Sequence, residues 1–466
     1  MKKLTRNIFS LLICLFFLIT TATMFVGCGG DERDDGFVLT IGYDNGGYGL
    51  DWLENMVSKF CEANDIEREK VYIEAQKGIT DVLNDRFSSE IKLRDIFISG
   101  STIIREWASK GYLADVDSVF NATLKTGKTV KDSLTDSKLL ECGHYKNHYY
   151  CLPSDGGAWG IYYNKTLFDQ YGWTVPTTVA ELMTLCQTIL DDTNKAIAPF
   201  GCSSDITQYW ESVVMNWSVQ YMGIENFETF CKMESKELYK PDSIYAQAKL
   251  KALEAWDNLV TANNGQYVKK DSSNYEAIQS LFAQGRIAMM PNGNWFEHEI
   301  LQALDGTGYE IAIMPTPAID GARLDNNDEV IKVSYSGLCT GWVIPAKAAH
   351  VELAKKFFVF AVEEEQLRDY MVDCGGVLPY ECDYSSIISK LTPCQKSVYE
   401  MVNNAYGIRF ISSNPITYAS AKIGVWTQGE PYGTILNGTK TPQQFIDSEW
   451  NYVNAEWDNL VRLANI

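Results

Sequence analysis

The chain has 466 residues, of which 46% are hydrophobic and 12% aromatic, which is enough for two or three domains with large packed cores. Its formal net charge of −20 argues against nucleic acid as a partner and against adhesion of the protein surface itself to anionic lipid. Histidine is scarce, and no phosphate-binding loop, zinc-protease helix or serine-hydrolase elbow is present, so the sequence predicts no metal site, no cofactor and no enzyme, and it leaves open whether calcium binds in a loop such as 191–195.

The N-terminus has the pattern of an export signal. Basic residues precede the apolar run 8–19, which is too short to cross a bilayer comfortably as a permanent helix. The run leads to Phe25-Val26-Gly27-Cys28, which resembles a bacterial lipobox, with 1–27 as signal peptide and Cys28 acylated, for instance by palmitate. Residues 28–36 then form a tether of glycine and acid. An ordinary signal peptide with an incidental cysteine is the alternative, and pairing among the ten other mature cysteines stays open.

Strands and helices alternate in the first part of the mature chain. Apolar runs predict strands at 38–43, 71–75 and 95–98, with amphipathic helices between them. This order predicts a parallel sheet covered on both faces, in which ligands bind beyond the carboxyl ends of the strands. That rule places Asp44, Asn45 and Ser99 at one edge of a cleft.

A glycine-containing break in the middle of the chain predicts a hinge. Strand-like segments at 149–153 and 158–163 flank the polar break 154–157, which contains two glycines. A short helix follows, with Asn164 as its N-cap and Gly172 as its left-handed C-terminal residue. This order of elements lets a chain pass from one lobe to another and still bend. We therefore expect a ligand to bind between two closing lobes.

The remaining chain alternates in the same way and ends in a long helix that Thr441 and Gln444 begin with a capping box. A single helix is predicted over 351–374. Two further crossings between lobes are predicted. The first lobe comprises 37–153 and 339–375, the second 157–335 and 378–466, and the crossings lie near 154–157, 335–338 and 374–378.

Several segments, in order, resemble extracellular solute-binding proteins of carbohydrate ABC importers, the group that includes maltose-binding protein. They are IFISGSTIIREWASKGYLADVD, YYCLPSDGGAWGIYYNKTLF, FAQGRIAMMPNGNWF, and GWVIPAKAAHVELAKKFFVF followed by GGVLP. The pattern of glycines, methionine and tryptophan over 285–295 is the most diagnostic. The resemblance implies an α/β fold of the periplasmic-binding-protein-like type II class, with two α/β lobes joined by a three-segment hinge.

The resemblance also implies which positions contact the ligand. Ser99 stands where maltose-binding protein has an aromatic residue, and Gly157 stands where it has a carboxylate, for which Asp155 or Trp159 can substitute. Trp295 matches a sugar-stacking tryptophan. The complete set of predicted ligand contacts is Asp44, Asn45, Ser99, Asp155, Trp159, Tyr209, Trp210, Trp295, Tyr335 and Trp426. Four other tryptophans are interpreted as packing residues, namely Trp52, Trp107, Trp173 and Trp342.

The expected function is capture of a carbohydrate, because tryptophan covers the apolar face of a pyranose while Asp and Asn bond its hydroxyls. The resemblance implies ABC-transporter permease subunits as partners, a monomer, and attachment to the extracytoplasmic face of a bacterial membrane through the lipid alone. Two alternatives remain open. One is a lipoprotein for a non-sugar ligand or a sensor partner, and the other is a glycoside hydrolase, whose paired carboxylates have no sequence signature.

Overall fold

The computed structural model describes residues 36–100, 103–203, 207–271, 274–338, 340–410 and 430–464. The predicted signal peptide, Cys28 and Trp426 lie outside the described residues. Within those segments, every helix is too short or too polar to cross a lipid bilayer.

The described strands are β1 (Leu39–Tyr43), β2 (Val71–Ala75), β3 (Ile96–Ile98), β4 (His144–Tyr145), β5 (His148–Tyr149), β6 (Leu152–Pro153), β7 (Gly160–Asn164), β8 (Ala198–Ser203), β9 (Val268–Asp271), β10 (Ile287–Asn292), β11 (Ile311–Ile313), β12 (Val333–Leu338), β13 (Gly341–Trp342) and β14 (Tyr406–Phe410). The described α-helices are α1 (Asp51–Ala63), α2 (Ile79–Ser89), α3 (Ile104–Ser109), α4 (Asp117–Phe120), α5 (Lys165–Tyr171), α6 (Val179–Asp192), α7 (Trp210–Met222), α8 (Ile224–Lys232), α9 (Ile244–Gly265), α10 (Tyr275–Ala283), α11 (Phe296–Glu299), α12 (Leu301–Leu304), α13 (Val351–Ala361), α14 (Glu364–Cys374), α15 (Pro393–Asn404), α16 (Glu430–Leu436) and α17 (Pro442–Ala464). Short 3₁₀ helices occur at Arg68–Lys70, Lys131–Ser133, Ser137–Gly143, Thr207–Tyr209, Lys236–Tyr239 and Ile388–Lys390.

The first sheet is parallel, as the alternation of strands and helices predicts. Its strand order is β2-β1-β3, and both neighbours run parallel to β1. Leu39 and Ile41 of the central strand are fully buried, which favours folding by roughly 1.5–3 kcal/mol for each such side chain. Helix α1 buries Trp52, Leu53 and Phe60 in the same core.

The second sheet is mixed and larger, with the strand order β11-β7-β10-β8-β9. Strands β8, β9 and β10 are parallel, and β7 runs antiparallel to both β10 and β11. Strand β7 follows the predicted hinge directly, so the chain enters the second lobe at an inner strand that lies next to the edge strand β11. The strand β10 is buried at every position, from Ile287 to Asn292.

Local capping signals in the sequence are confirmed at both ends of the second lobe. The Asn164 side chain accepts a hydrogen bond from the Leu167 N–H at 3.0 Å, and Gly172 ends α5 with a φ of 69°. Thr441 Oγ1 accepts from the Gln444 N–H at 3.2 Å, and Gln444 Oε1 accepts from the Thr441 N–H at 2.9 Å, which completes the predicted capping box.

The single helix predicted over 351–374 is wrong, because the chain forms two helices there, α13 and α14. Glu363 between them is extended, with φ −65° and ψ 141°. Its carboxylate accepts hydrogen bonds from the Lys125 N–H at 3.2 and 3.1 Å. A long-range contact to a loop of the first lobe therefore accompanies the break, and the continuous apolar periodicity of the segment does not reveal it.

Buried apolar residues form one cluster in the first lobe and three in the second. The first-lobe cluster draws on 39–152 and 342–380, and the others draw on 158–335 and 371–460. Leu378 and Tyr380 pack in the first-lobe cluster, although the predicted boundary assigns them to the second lobe. Helix α14 contributes to both, with Leu367 in the first lobe and Met371 in the second. The residue boundaries of the lobes stay a prediction.

The chain passes between the two sets of clusters three times, and the first crossing contacts each of the other two. The Gly156 N–H donates to the Val377 carbonyl at 3.0 Å, and the Trp159 N–H donates to the Tyr335 carbonyl at 2.7 Å. A Cβ on Gly156 would lie 2.8 Å from the backbone nitrogen of Pro379. Glycine is therefore required in the first crossing by the close approach of the third.

Candidate functional site

A cavity of about 510 Å³ opens between the two lobes, and we call it the cleft cavity. Its walls come from both lobes and from the first crossing. It is lined by Tyr43, Asp44, Gly46, Gly47, Tyr48, Trp52, Thr80, Ile98, Ser99, Gly100, Ser154, Asp155, Trp159, Trp295, Thr340, Trp342 and Tyr370.

The ends of two parallel strands bring Asp44 and Ser99 into the cleft cavity. Tyr43 and Ile98 are partners in the β1–β3 ladder, so the residues that follow them emerge side by side. The Asp44 N–H donates to the Ile98 carbonyl at 3.0 Å, which fixes this junction.

The Asp44 carboxylate is held by the start of helix α2. Its Oδ1 accepts from the Gly78 N–H at 2.9 Å, and its Oδ2 accepts from the Thr80 N–H at 3.2 Å and from the Thr80 hydroxyl. A carboxylate at a helix N-terminus is stabilised by the unpaired N–H groups there. Asp44 therefore positions the cavity wall as well as facing the cavity.

A cluster of aromatic side chains lies at the cleft cavity, in which Tyr48, Trp159 and Trp295 line the cavity and Tyr209 packs behind them. The Trp295 and Trp159 rings meet edge to face with centroids 4.6 Å apart, and Tyr209 lies 6.2 Å from Trp159 and 6.3 Å from Trp295. Tyr48, from the first lobe, completes the group at 6.0 Å from Trp295. This cluster spans both lobes, because Tyr48 follows β1 and Trp295 follows β10.

Two buried polar atoms of the cavity residues have no hydrogen-bond partner within the described part of the chain. They are the Ser99 hydroxyl and the Trp159 indole Nε1. A buried donor without a partner costs about 1–3 kcal/mol. Both atoms are closed to solvent in this structure, so a ligand that accepts these hydrogen bonds must displace the atoms that now cover them.

Asp155 is the second carboxyl among the described residues that line the cleft cavity. Burial raises the pKa of Asp155 to about 7, and the Arg409 guanidinium and the Gly157 N–H act in the opposite direction. The carboxyl also packs on the second crossing, where a Cβ on Gly337 would lie 2.6 Å from Asp155 Oδ2. Near neutral pH the Asp155 carboxyl can therefore accept or donate a hydrogen bond, and its contacts hold it at the hinge.

The structure brings five predicted ligand contacts into the cleft cavity, and these are Asp44, Ser99, Asp155, Trp159 and Trp295. Tyr209 and Tyr335 lie behind Trp159, and Tyr335 is 1% exposed. Trp210 is fully buried in the second-lobe core, where its Nε1 donates to Cys202 Sγ at 3.1 Å. Its ring packs on Phe200 and Trp256, so in this structure it supports the wall from behind instead of lining the cavity.

The predicted contact Asn45 lies in a neighbouring cavity of about 430 Å³, which we call the outer cavity. The outer cavity is also formed by both lobes and is separated from the cleft cavity by the Gly46–Gly47 backbone. It is lined by Asn45, Gly46, Gly47, Gly49, Lys77, Tyr275, Glu276, Gln279, Ser280, His298, Glu299, Ile300 and Ala303.

Sequence reasoning missed several cavity residues. Trp52 and Trp342, interpreted as packing residues, are 3% exposed and form the cavity floor with Tyr370. The Trp52 ring lies 4.6 Å from Tyr370 and 6.0 Å from Trp342. The sequence could have indicated Tyr48 as a cavity residue, since it is an aromatic residue in the polar, glycine-rich loop after β1. No sequence pattern indicates Tyr370, because it reaches the cavity from a helix that is distant in the chain.

The arrangement suits the binding of a small polar molecule that has apolar faces. It combines aromatic rings with fixed hydrogen-bonding groups, which is the usual composition of a ligand pocket. In the described part of the chain, no three His, Cys, Asp or Glu side chains cluster closely enough to hold a metal ion.

Comparison with known proteins gives a family match over most of the chain. The sequence model described as "Bacterial extracellular solute-binding protein" matches residues 46–367. The diacetylchitobiose binding protein NgcE of Streptomyces coelicolor is 23% identical over 267 residues, covering 56% of this chain and 53% of its own length. The multiple sugar-binding protein of Streptococcus mutans is 27% identical over 275 residues, covering 57% of each chain. The chain thus spans only slightly more than half the length of these curated relatives.

Solved structures share the fold at lower sequence identity. The GacH receptor of Streptomyces glaucescens, solved unliganded and in complex with acarbose, superposes with a TM-score of 0.63 at 16% identity. The match covers 91% of this chain and 98% of the receptor. The predicted class, two α/β lobes of the periplasmic-binding-protein-like type II fold, is confirmed.

Proposed function

Because the chain belongs to the bacterial extracellular solute-binding protein family, we propose that it is the substrate-binding component of an ABC importer. It captures a carbohydrate, specifically an oligosaccharide, between its two lobes and delivers it to permease subunits in the membrane. The relatives named above, which bind diacetylchitobiose and multiple sugars, support this ligand class.

The observation that carries the proposal is the composition of the cleft cavity. Trp295 and Trp159 offer ring faces and edges to the C–H surface of a pyranose. Ser99 Oγ and Trp159 Nε1 lack partners within the described residues and suit sugar oxygens. The Asp155 carboxyl accepts hydroxyl protons when ionised and also donates one when protonated.

Binding and closure are coupled because the ligand contacts both lobes. The cleft cavity has walls from β1 and β3 on one side and from Trp159 and Trp295 on the other. A ligand that bonds to both walls binds the closed state more tightly than the open state, and it shifts the population toward closure. The closed form then docks on the permease, which an ATPase on the cytoplasmic side drives.

We further propose that the protein is a monomer, anchored on the extracytoplasmic face of the cell membrane. The anchor is the acylated Cys28, and residues 28–36 are the tether. Two or more acyl chains give a firm attachment, since each buried CH₂ contributes about 0.8 kcal/mol. Globomycin, which blocks lipoprotein signal peptidase, should leave a longer precursor in the membrane fraction. A Cys28→Ser chain should fail to incorporate labelled palmitate, and incorporation equal to that of the wild type would contradict the anchor.

The number and hydrogen bonding of the carboxyl groups in the cleft cavity favour binding without catalysis over glycoside hydrolysis. Among the described residues only Asp44 and Asp155 line the cleft cavity, and Asp44 already accepts three hydrogen bonds from the start of α2. An oligosaccharide incubated with the protein should be recovered intact. Product formation would contradict this assignment.

A thermal-shift screen tests the proposed ligand class. A carbohydrate at about 100 times its dissociation constant adds roughly 2.7 kcal/mol to folding stability and should raise the melting temperature. It should also change tryptophan fluorescence, since Trp159 and Trp295 line the cleft cavity. Trp295→Ala should weaken binding at least tenfold while keeping the melting temperature of the protein alone. A shift with amino acids, peptides or polyamines, and none with any carbohydrate, would replace the sugar by that class.

A further inference from the structure

A buried asparagine immediately precedes Trp295 and lies between two of the three crossings. Asn294 is 2% exposed and stands in the loop between β10 and α11. Its side-chain Nδ2 donates a hydrogen bond to the carbonyl oxygen of Gly375, in the third crossing, at 2.8 Å. This hydrogen bond ties the loop that carries Trp295 to the chain segment that leaves helix α14.

The same amide packs against the first crossing. A Cβ on Gly157 would lie 1.9 Å from Asn294 Oδ1, 2.4 Å from Cγ and 2.8 Å from Nδ2. These distances are far below the 3.5–4.0 Å that non-bonded heavy atoms prefer. The φ of Gly157 lies outside the left-handed region, so glycine is required there for space and not for backbone conformation. The first crossing therefore makes room for this one side chain.

The Asn294 amide also reaches the first lobe. Burial raises the pKa of Tyr48, and the nearby Asn294 side chain acts in the opposite direction, so the amide lies beside the Tyr48 hydroxyl. Tyr48 itself lines the cleft cavity. One side chain thus contacts the first crossing, the third crossing and a first-lobe residue of the cavity, and it belongs to the residue next to Trp295.

The Trp295 ring follows the backbone of its loop. A Cβ on Gly293 would lie 2.3 Å from both Cη2 and Cζ3 of Trp295, so the ring is folded over its own loop. On its other contact the ring meets Trp159 with centroids 4.6 Å apart and an angle of 87° between the planes. Because the ring is packed in this way, a shift of the loop backbone moves the indole with it.

We propose that Asn294 is a positioning residue for ligand binding, which fastens the loop of Trp295 to the first and third crossings and so sets where the indole stands against the ligand. This inference rests on the proposed function of the cleft cavity. Asn294 is not among the residues that line that cavity, so it acts through Trp295. The hinge and the aromatic cluster are thereby joined at one buried amide.

A double-mutant cycle between Asn294 and Gly157 tests the proposal in the full mature chain. Malto-, chito- and xylo-oligosaccharides of two to five units are titrated by calorimetry, and the sugar that binds the wild type is used throughout. Asn294→Ala removes the hydrogen bond to Gly375, and Gly157→Ala displaces the amide from the other side. Each should lower the affinity about tenfold or more. The combination should bind as Asn294→Ala does, because the three atoms that the new methyl group would meet are then absent.

Fluorine NMR of the chain labelled with 5-fluorotryptophan follows the indole directly. The Trp295 resonance is assigned as the one that Trp295→Phe removes. In the protein without ligand, Asn294→Ala and Gly157→Ala should each move this resonance by more than its linewidth. A side chain that only stabilises the fold would lower the melting temperature and leave the resonance in place.

Asn216→Ala is the matched control. Asn216 is 1% exposed in helix α7 of the second lobe, and its Nδ2 donates to Thr316 Oγ1 at 2.9 Å. Its Oδ1, like that of Asn294, has no hydrogen-bond partner within the described residues. Asn216→Ala should therefore lower stability in urea unfolding about as much as Asn294→Ala does, and it should keep both the wild-type affinity and the Trp295 resonance.

Wild-type affinity of Asn294→Ala would overturn the proposal. A lowered affinity with an unmoved Trp295 resonance, an equal loss of affinity in Asn216→Ala, or additive costs in the double mutant would overturn it as well. If Asn294→Ala does not fold, Gly157→Ala decides by the same two measurements. Binding of no carbohydrate by the wild type would refute the proposed function, and the Trp295 resonance would still decide whether Asn294 positions the indole.

Discussion

Gly47→Ala tests whether the contact between Trp295 and the loop after β1 belongs to the closed state. Gly47 lies in the first lobe, and Trp295 lies in the second. A Cβ on Gly47 would stand 2.3 Å from Trp295 Cδ1, 2.6 Å from Cγ and 2.9 Å from Cβ. Non-bonded carbon atoms prefer 3.5–4.0 Å. Since the Trp295 Cβ is fixed by the backbone, a change of rotamer does not relieve the overlap.

The cost should appear in binding and not in folding. Overpacking a tight contact costs about 1–3 kcal/mol, and here the cost arises only when the lobes close. The φ of Gly47 lies outside the left-handed region, so alanine fits the backbone without strain. Affinity for a short carbohydrate should therefore fall by about 5- to 150-fold, while the melting temperature of the protein alone stays within a few degrees of wild type.

A double-mutant cycle with Trp295→Ala isolates the contact. In the Trp295→Ala background, Gly47→Ala should cost less than in the wild type, because the overlaps at 2.3 and 2.6 Å are gone and only the 2.9 Å approach to Cβ remains. Small-angle scattering at saturating ligand should show incomplete closure for Gly47→Ala and full closure for Gly46→Ala, the adjacent glycine with open space. Wild-type affinity of Gly47→Ala, or an equal cost in both backgrounds, would refute the reasoning.

Three further predictions concern single groups. Burial raises the pKa of Glu211 to about 8, although the nearby charge of Lys249 acts in the opposite direction. The folded state therefore binds this proton more tightly than the unfolded state does. As a result, the stability of the wild type falls as the pH rises from about 4 to about 8. Relative to the wild type, the unfolding free energy of Glu211→Gln should therefore increase by about 1.4 kcal/mol per pH unit between about pH 5 and pH 7, as measured by urea unfolding. A difference in unfolding free energy that does not change with pH would contradict a raised pKa of Glu211. Trp159→Phe removes the indole N–H that lacks a partner within the described residues, and it should lower ligand affinity about tenfold by calorimetry without lowering the melting temperature of the protein alone. Asn164→Ala removes the cap of α5 and should cost about 1 kcal/mol in urea unfolding, whereas an unchanged midpoint would show that the cap adds nothing.

Local and periodic features of the fold could be predicted from the sequence. The apolar runs located β2 at Val71–Ala75 without error, and the side chains of Asn164 and Thr441 marked helix starts because capping involves residues only three positions apart. The carboxyl-end rule for parallel strands brought Asp44 and Ser99 to one edge, since it depends only on strand direction.

Features that depend on distant contacts could not be predicted. The break at Glu363 accompanies a contact to Lys125, and the capping of α2 by Asp44 depends on how the chain folds back after β2. Trp210 and Trp295 are both predicted ligand contacts, but Trp210 packs in the core between Phe200 and Trp256. Which tryptophan faces the cleft is therefore decided by packing between elements, and composition does not record it.

The first lobe is built from two pieces of chain, and this has a consequence for how the protein matures. Strand β6 pairs with β13, and Phe97 pairs with Val343, so the first-lobe core contains residues made after the whole second sheet. A ribosome produces the chain from the N-terminus, and contacts of large sequence separation form slowly. Part of the apolar surface of strands β1–β3 therefore stays exposed until α13 and α14 have been made. A chain truncated before residue 342 should be insoluble.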